Sequence, residues 1–427
     1  MTRHFNLRLD TTLAGDGEES FYWTRDSNSS FLGALGPSLG RLGPVPALNI
    51  DLVRVAVAVY AADRSTPRKY GGSDWNQREI DLTIPVSDAG LWTQRANELA
   101  AMLAFLSGDL WSFTFVEQAA PDEDVALPAA NATRVVLFSG GADSAVGAVK
   151  SRLELPDDGH HILVSHYSAS HIAPIQASLA LRLDALVPQG SQSHEVFHLA
   201  RRAVRIDGSE YDSEPSSRSR SFLFLSLGLA TAAVHNVELW IPENGFASIN
   251  PPLGPGRRGS LSTRTTHPAF LRDFNALITR TGISGHIRNP FESSTKGEMF
   301  SWLAQRVGTD HATRYLSSTN SCSSTGQRSF GVPLRVHCGV CFGCVLRRAA
   351  FDAASLSDDS NYADASNNAR LGNWLDRTSV VPAVEAFVAR GVRQRDLMAL
   401  SLPHEYPLSE AMELTSRGLA ELAGYVQ

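Results

Sequence analysis

Lysine is almost missing from this chain. Its 427 residues hold three, Lys69, Lys150 and Lys296, so nearly all of the basic charge is arginine. With 38 basic against 44 acidic residues the net charge is −6, which lacks the cationic excess that general binding to a nucleic-acid backbone needs. A bilayer-spanning run is also missing. The longest apolar stretch, SFLFLSLGLATAAV over 221–234, stops at His235 and Asn236 and predicts a buried helix instead. The opening residues, MTRHFNLRLD, carry no apolar h-region, so no secretory signal is expected and the predicted location is cytoplasmic. Cysteine is scarce, with four residues all between 322 and 344. Structural disulfides are rare in the cytoplasm, so a cluster there points to metal. Neither a Gly-x4-Gly-Lys-Ser/Thr loop nor a Gly-x-Gly-x-x-Gly fingerprint occurs, which sets aside the commonest phosphate and dinucleotide motifs.

A hydrophobic content of 43% with 19% charged residues suits a globular protein with a substantial core, and the length suggests two or three domains. Residues 1–130 read as an N-terminal α+β module that binds a partner or substrate. HFNLRLD, REIDLTIPV and WSFTFVE alternate as half-buried strands, while DLVRVAVAVYAADR and LWTQRANELAAMLAFLSG have helical spacing. PDEDVALPAANAT (121–133) is the expected linker. Residues 131–350 change to repeated strand–helix units with continuously apolar strands. That pattern predicts an α/β fold with a parallel sheet covered on both faces. Residues 351–427 read as a helical extension broken at SLPHEYPLSE.

The first α/β unit contains LFSGGADS, a Ser-Gly-Gly-x-Asp-Ser sequence at a strand-to-helix turn. Glycines permit close backbone approach there, and the free N–H groups and dipole of the helix start favour a phosphate. The bland alternative is an ordinary glycine turn with Asp143 charging the helix end. The cysteines read Cys322-x15-Cys338-x2-Cys341-x2-Cys344, a spacing that suits a closed tetrahedral zinc site of four thiolates. Buried free thiols and an iron–sulfur cluster are the alternatives.

The glycine loop resembles the PP-loop of the ATP pyrophosphatases, on Ser139, Gly140, Gly141, Asp143 and Ser144. Together with the cysteine run ending CGVCFGCVLRR, it resembles the 7-cyano-7-deazaguanine synthases (QueC). The resemblance implies a Rossmann-like fold of the adenine nucleotide alpha hydrolase type, with ATP, Mg2+ and Zn2+ as cofactors. It also implies adenylation of the carboxylate of 7-carboxy-7-deazaguanine. SRSFLFLSL matches the family's arginine segment and assigns Arg220, and RNPFESSTKGE matches its lysine segment and assigns Lys296. Asp143, Ser144, Lys296 and Arg220 are then the catalytic candidates. Tyr167, His171, Glu243 and Asn244 are the substrate candidates, although HYSASH (166–171) has lost the family's glutamine and IPENG replaces its acidic stretch.

The flanking extensions and the segment ENGFASINPPLGPGRRGSLSTRTTHP resemble QatC, a QueC-like subunit of a bacterial anti-phage system. That resemblance implies transfer of the activated deazaguanine to an amine of a QatB-like partner from the same operon, with no membrane and no general nucleic-acid partner. Formation of the nitrile with ammonia is the alternative from within the family. A non-catalytic nucleotide-binding scaffold is the alternative from outside it. A tRNA-thiolating enzyme would want a basic surface and a free cysteine pair, which this composition does not offer.

Overall fold

The computed structural model describes residues 2–10, 19–70, 77–128, 130–167, 172–251, 264–323, 331–333 and 335–426. The chain opens with β1 (Arg3–Arg8), β2 (Glu19–Tyr22), a short β3 (Phe31–Leu32), α1 (Ala47–Ser65), β4 (Glu79–Val86), α2 (Ala89–Ser107) and β5 (Leu110–Glu117). The alternating strands lie where the period-two pattern put them. Their sheet runs β2-β1-β4-β5 with every pair parallel, which makes the module α/β in its pairing rather than α+β. Alternation records which face is buried and not which way the neighbouring strand runs, so the sequence could not separate the two.

The second region of the chain runs β6 (Arg134–Leu137), α3 (Ala142–Leu153), β7 (His160–Tyr167), α4 (Ala173–Leu186), β8 (Ser191–His198), β9 (Ala200–Arg201), which pairs with β3 instead of joining the main sheet, and α5 (Arg220–His235). It continues with β10 (Leu239–Trp240), α6 (Gly245–Ser248), α7 (Pro268–Thr281), β11 (Ile287–Arg288), α8 (Lys296–Val307) and α9 (Thr309–Ser317). The main sheet has the order β11-β10-β6-β7-β8, all parallel. The order reverses direction between β6 and β10, so the crevice over their carboxyl ends is a topological switch point, where open α/β sheets take ligands. The tail is helical: α10 (Phe342–Ala353), α11 (Ala369–Thr378), α12 (Val381–Arg390), α13 (Gln394–Met398) and α14 (Leu408–Val426), with the expected break ahead of α14.

α1 is buried on every side, and its Leu52, Val55 and Val59 share one hydrophobic core with Phe222, Leu225 and Leu229 of α5. A helix apolar all round needs cover all round, and here the covers are its own sheet and α5. β3 and β9 pair antiparallel and add a second link between the two sheets. Among the described residues no helix is long and apolar enough to cross a membrane.

Candidate functional site

The glycine loop leaves β6 and enters α3 through a tight turn. Gly140 has φ +89, a left-handed conformation that disfavours side chains, and a Cβ there would stand 3.2 Å from Cγ of Gln176. Gly141 is the N-cap of α3. The two serines tie the turn together. Ser144 Oγ donates to the Gly141 carbonyl (3.0 Å) and lies 3.1 Å from Ser139 Oγ, which accepts the Gly141 N–H (3.3 Å). Two amides hold the loop from outside. Gln176 of α4 donates Nε2 to the Ser139 carbonyl (3.2 Å), and the Asn320 N–H donates to the Gly140 carbonyl (2.9 Å).

Asp143 sits in the first turn of α3 and is 7% exposed. Its Oδ2 accepts from Lys296 Nζ at 2.6 Å and from Asn244 Nδ2 at 3.3 Å. Lys296, 4% exposed, is the first residue of α8, whose start is fixed by a capping box between Thr295 and Glu298. Asn244 is the N-cap of α6, accepting the Ala247 N–H at 2.9 Å, and its amide also donates to Glu243 Oε1 at 3.1 Å. Asn289, just beyond β11, clamps the Glu243 backbone by donating to its carbonyl (2.8 Å) and accepting its N–H (3.2 Å). The ends of β6, β10 and β11 thus converge on one carboxylate. Burial opposes ionisation of Asp143. The Lys296 ammonium and the hydrogen bonds with Glu243, Lys296 and Asn244 outweigh it and hold the carboxyl below its ordinary value of 3.8. Asp143 Oδ1 is buried without a donor of its own. A bare anionic oxygen beside the Glu243 carboxylate fits a hard divalent cation.

These groups line a cleft of about 720 Å3 that also reaches Cys322 and Cys341. All four cysteines are buried or nearly so, and their Sγ atoms lie within 4.8 Å of one another. Cys338 Sγ and Cys344 Sγ are 3.9 Å apart, close to the roughly 3.8 Å edge of a tetrahedron with metal–sulfur bonds of about 2.3 Å. Backbone N–H groups of Cys338 and Cys341 donate to the sulfurs of Cys322 and Cys338, each at 3.3 Å, as suits thiolates. A cluster with each thiolate on a separate iron would spread the sulfurs further, so the donor set fits a single ion. The cysteine and glycine loops touch: Ser321 Oγ accepts the Ala142 N–H at 3.4 Å, and Asn320 Oδ1 accepts the Cys322 N–H at 3.0 Å.

Ser139, Gly141, Asp143, Ser144, Glu243 and Lys296 line this cleft, and Gly140 and Asn244 support it from behind. Arg220 and Tyr167 do not line it. Arg220 begins α5 and donates to the His166 carbonyl at 3.5 Å, and Tyr167 stacks on His198 with centroids 4.7 Å apart, both over the ends of β7 and β8. His171 lies outside the described residues, as does the arginine-rich segment 257–264 except for Arg264. That arginine packs on α2, donating to the Phe105 carbonyl at 3.0 Å. Gln176, Asn289 and Asn320 were not foreseen; each acts by bonding backbone, which leaves no spacing signature.

No profile of a known protein family matches the chain. It is similar to curated proteins over about half of its length and nearly the whole of theirs. The 7-cyano-7-deazaguanine synthase 1 of Sphingopyxis alaskensis is 31% identical over 253 residues, which is 54% of this chain and 98% of that one. The 7-cyano-7-deazaguanine synthase of Hydrogenovibrio crunogenus is 26% identical over 54% of this chain and 95% of its own. The synthase of Ralstonia nicotianae is 28% identical over 53% and 97%.

Proposed function

The chain belongs to the 7-cyano-7-deazaguanine synthase family, and from that membership we propose that it is an ATP-dependent carbon–nitrogen ligase acting on a 7-deazaguanine carboxylate. The observation that carries the reading is the convergence on Asp143, at the switch point, of a phosphate-shaped glycine loop, Lys296 and Asn244. ATP lies with its phosphates on the glycine loop at the start of α3 and on Lys296. Asp143 with Glu243 would hold Mg2+, which would supply charge neutralisation at the phosphates. Cys322, Cys338, Cys341 and Cys344 would hold Zn2+, which would lock the wall of the cleft.

In the first step a substrate carboxylate oxygen attacks the α-phosphorus. The bond from that phosphorus to the bridging oxygen breaks, pyrophosphate leaves, and an acyl adenylate forms. An amine then attacks the acyl carbon, AMP leaves, an amide forms, and the amine's proton passes to solvent. Lys296 steadies the charge that grows on the phosphate oxygens. Glu243 faces the deazapurine with Asn244 holding it from behind, Tyr167 and Arg220 stand at the neighbouring strand ends, and His171 is the remaining substrate candidate. The acceptor is an amine of a partner protein in anti-phage defence, as in QatC, with residues 1–130 as the module that receives partner or substrate, 131–350 as the ligase domain and 351–427 as the extension. One observation favours a second reading: the similar curated proteins are named for the nitrile, for which ammonia is the acceptor and a second ATP dehydrates the amide.

The test is incubation with ATP, Mg2+ and 7-carboxy-7-deazaguanine, with and without the protein encoded beside it. Pyrophosphate release with a mass gain on the partner is the expected result. Free nitrile instead selects the second reading, and no pyrophosphate under any condition sinks both in favour of a scaffold.

A further inference from the structure

Both donors to Asp143 stand at helix starts, and a third helix holds each of them. That helix is α14, at the end of the C-terminal extension. Leu414, Gly418 and Glu421 follow one another on one of its faces, at helical spacing. Gly418 lets α6 come close, since a Cβ there would run into the Phe246 ring. Leu414 presses on the same short helix, with Cδ2 3.0 Å from where a Cβ of Gly245 would stand. Asn244, the amide donor to Asp143, is the N-cap of that helix.

Three residues further along α14, Glu421 reaches the start of α8. Its Oε2 accepts the Gly297 N–H at 3.0 Å, and its Oε1 accepts the hydroxyl of buried Thr295. The fit leaves no room, since a Cβ on Gly297 would be 2.5 Å from Glu421 Oε1. Lys296 is the residue between those two contacts. Arg417 adds a bond to the Ser293 carbonyl at 3.0 Å and an ion pair with Glu298.

We propose that α14 is a brace that positions the two donors to Asp143, with Glu421 the positioning residue for Lys296. The capped start of α8 is also clamped from outside on both sides of its first residue, so the ammonium has one place to go. The catalytic consequence rests on the reading of the cleft as an ATP site; the positioning itself does not.

The scarcity of lysine makes the test direct. Lysine labelled with 13C at Cε gives three signals in the full-length protein, and Lys296→Met identifies one of them. Glu421→Gln, nearly isosteric, is expected to move the Lys296 signal and leave Lys69 and Lys150 in place. Leu422→Val, a core truncation on the same helix, is the control: it lowers the melting temperature without moving that signal. In ATP–pyrophosphate exchange, Glu421→Gln is expected to raise the KM for ATP roughly tenfold, a coupling usual within one hydrogen-bonded network. In a Lys296→Ala background it adds nothing. A Lys296 signal that ignores Glu421→Gln, or that shifts as much with Leu422→Val, overturns the proposal, as do independent losses in the double mutant. If the wild type shows no exchange, the ATP reading fails, and the lysine signal still decides whether α14 is the brace.

Discussion

A buried carboxylate stays ionised only where cations and donors replace the water it has lost. Asp143 has one ammonium and one amide on a single oxygen, with the Glu243 carboxyl group beside it. Asp143→Asn keeps the shape and removes the charge that pairs with Lys296 and would hold a metal ion. ATP–pyrophosphate exchange is expected to fall by about 10²–10³-fold, the usual loss when a preorganised charge is removed from an active site. The stability effect has a fixed sign. The folded-state pKa lies below the ordinary 3.8, so the pair contributes fully above about pH 4 and is lost as pH falls through the lower folded value. Melting curves of wild type and Asp143→Asn should therefore converge as pH drops below 4, and curves that stay parallel would remove the electrostatic account. Asp143 and Lys296 were legible in the sequence because a serine–glycine–aspartate pattern and a rare lysine are dense signals. Gln176, Asn289 and Asn320 were not, since an amide that bonds backbone looks like any other amide until the chain is folded.

At the scale of elements, the helices were the most legible parts, since apolar spacing and caps agree along them. α8 carries both halves of a capping box, Thr295 and Glu298. The strands beyond β8 are shorter than their apolar runs: VELWIP contributes Leu239–Trp240, and HIRNP contributes Ile287–Arg288. An apolar run records burial, and burial continues past the last ladder bond into Ile241. The cysteine segment is the clearest case of an element made by ligands rather than by periodicity. Cys341 is the N-cap of α10, Cys344 lies in its first turn, and Gly343 admits the Ser321 carbonyl, with which a Cβ would collide. Replacing one thiolate leaves three ligands and takes metal-binding free energy out of folding. Cys341→Ser is expected to lower bound zinc below one ion per chain by elemental analysis and to lower the melting temperature in the same sample. Unchanged metal content and melting would mean that the four thiols hold no structural ion.

At the scale of the molecule, composition marked 121–133 as a linker, and the core crosses it. No pattern within 1–130 reveals that α1 will be roofed by α5, because that contact joins residues about 170 apart and is set by shape. The junction is also electrostatic. Asp63 of α1, fully buried, pairs with Arg78 (2.6 Å) and accepts both the Arg218 and Ser219 N–H groups (2.9 Å each) and the Ser219 hydroxyl (2.7 Å). Ser219 is the N-cap of α5, and with its hydroxyl turned to Asp63 it makes no cap bond of its own. Burial works against the Asp63 charge, and Arg78 together with these donors holds its pKa below the ordinary value. Arg78 is shared with Asp109, which Arg68 grips with both guanidinium nitrogens at 2.9 Å. Removing one member of such a network strands the others without water, at a cost of about 3–5 kcal/mol. Asp63→Asn should lower the unfolding free energy by that order in urea titrations, with one transition for the whole chain. Residues 131–427 expressed alone should be insoluble, since Phe222, Leu225 and Leu229 would face water. A soluble, cooperatively folding 131–427 fragment, or an Asp63→Asn protein as stable as wild type, would instead make the first module a detachable accessory. Because Asp63 fixes the start of the helix that carries Arg220, the same substitution is also expected to reach the strand ends over β7, where HYSASH departs from the family's sequence.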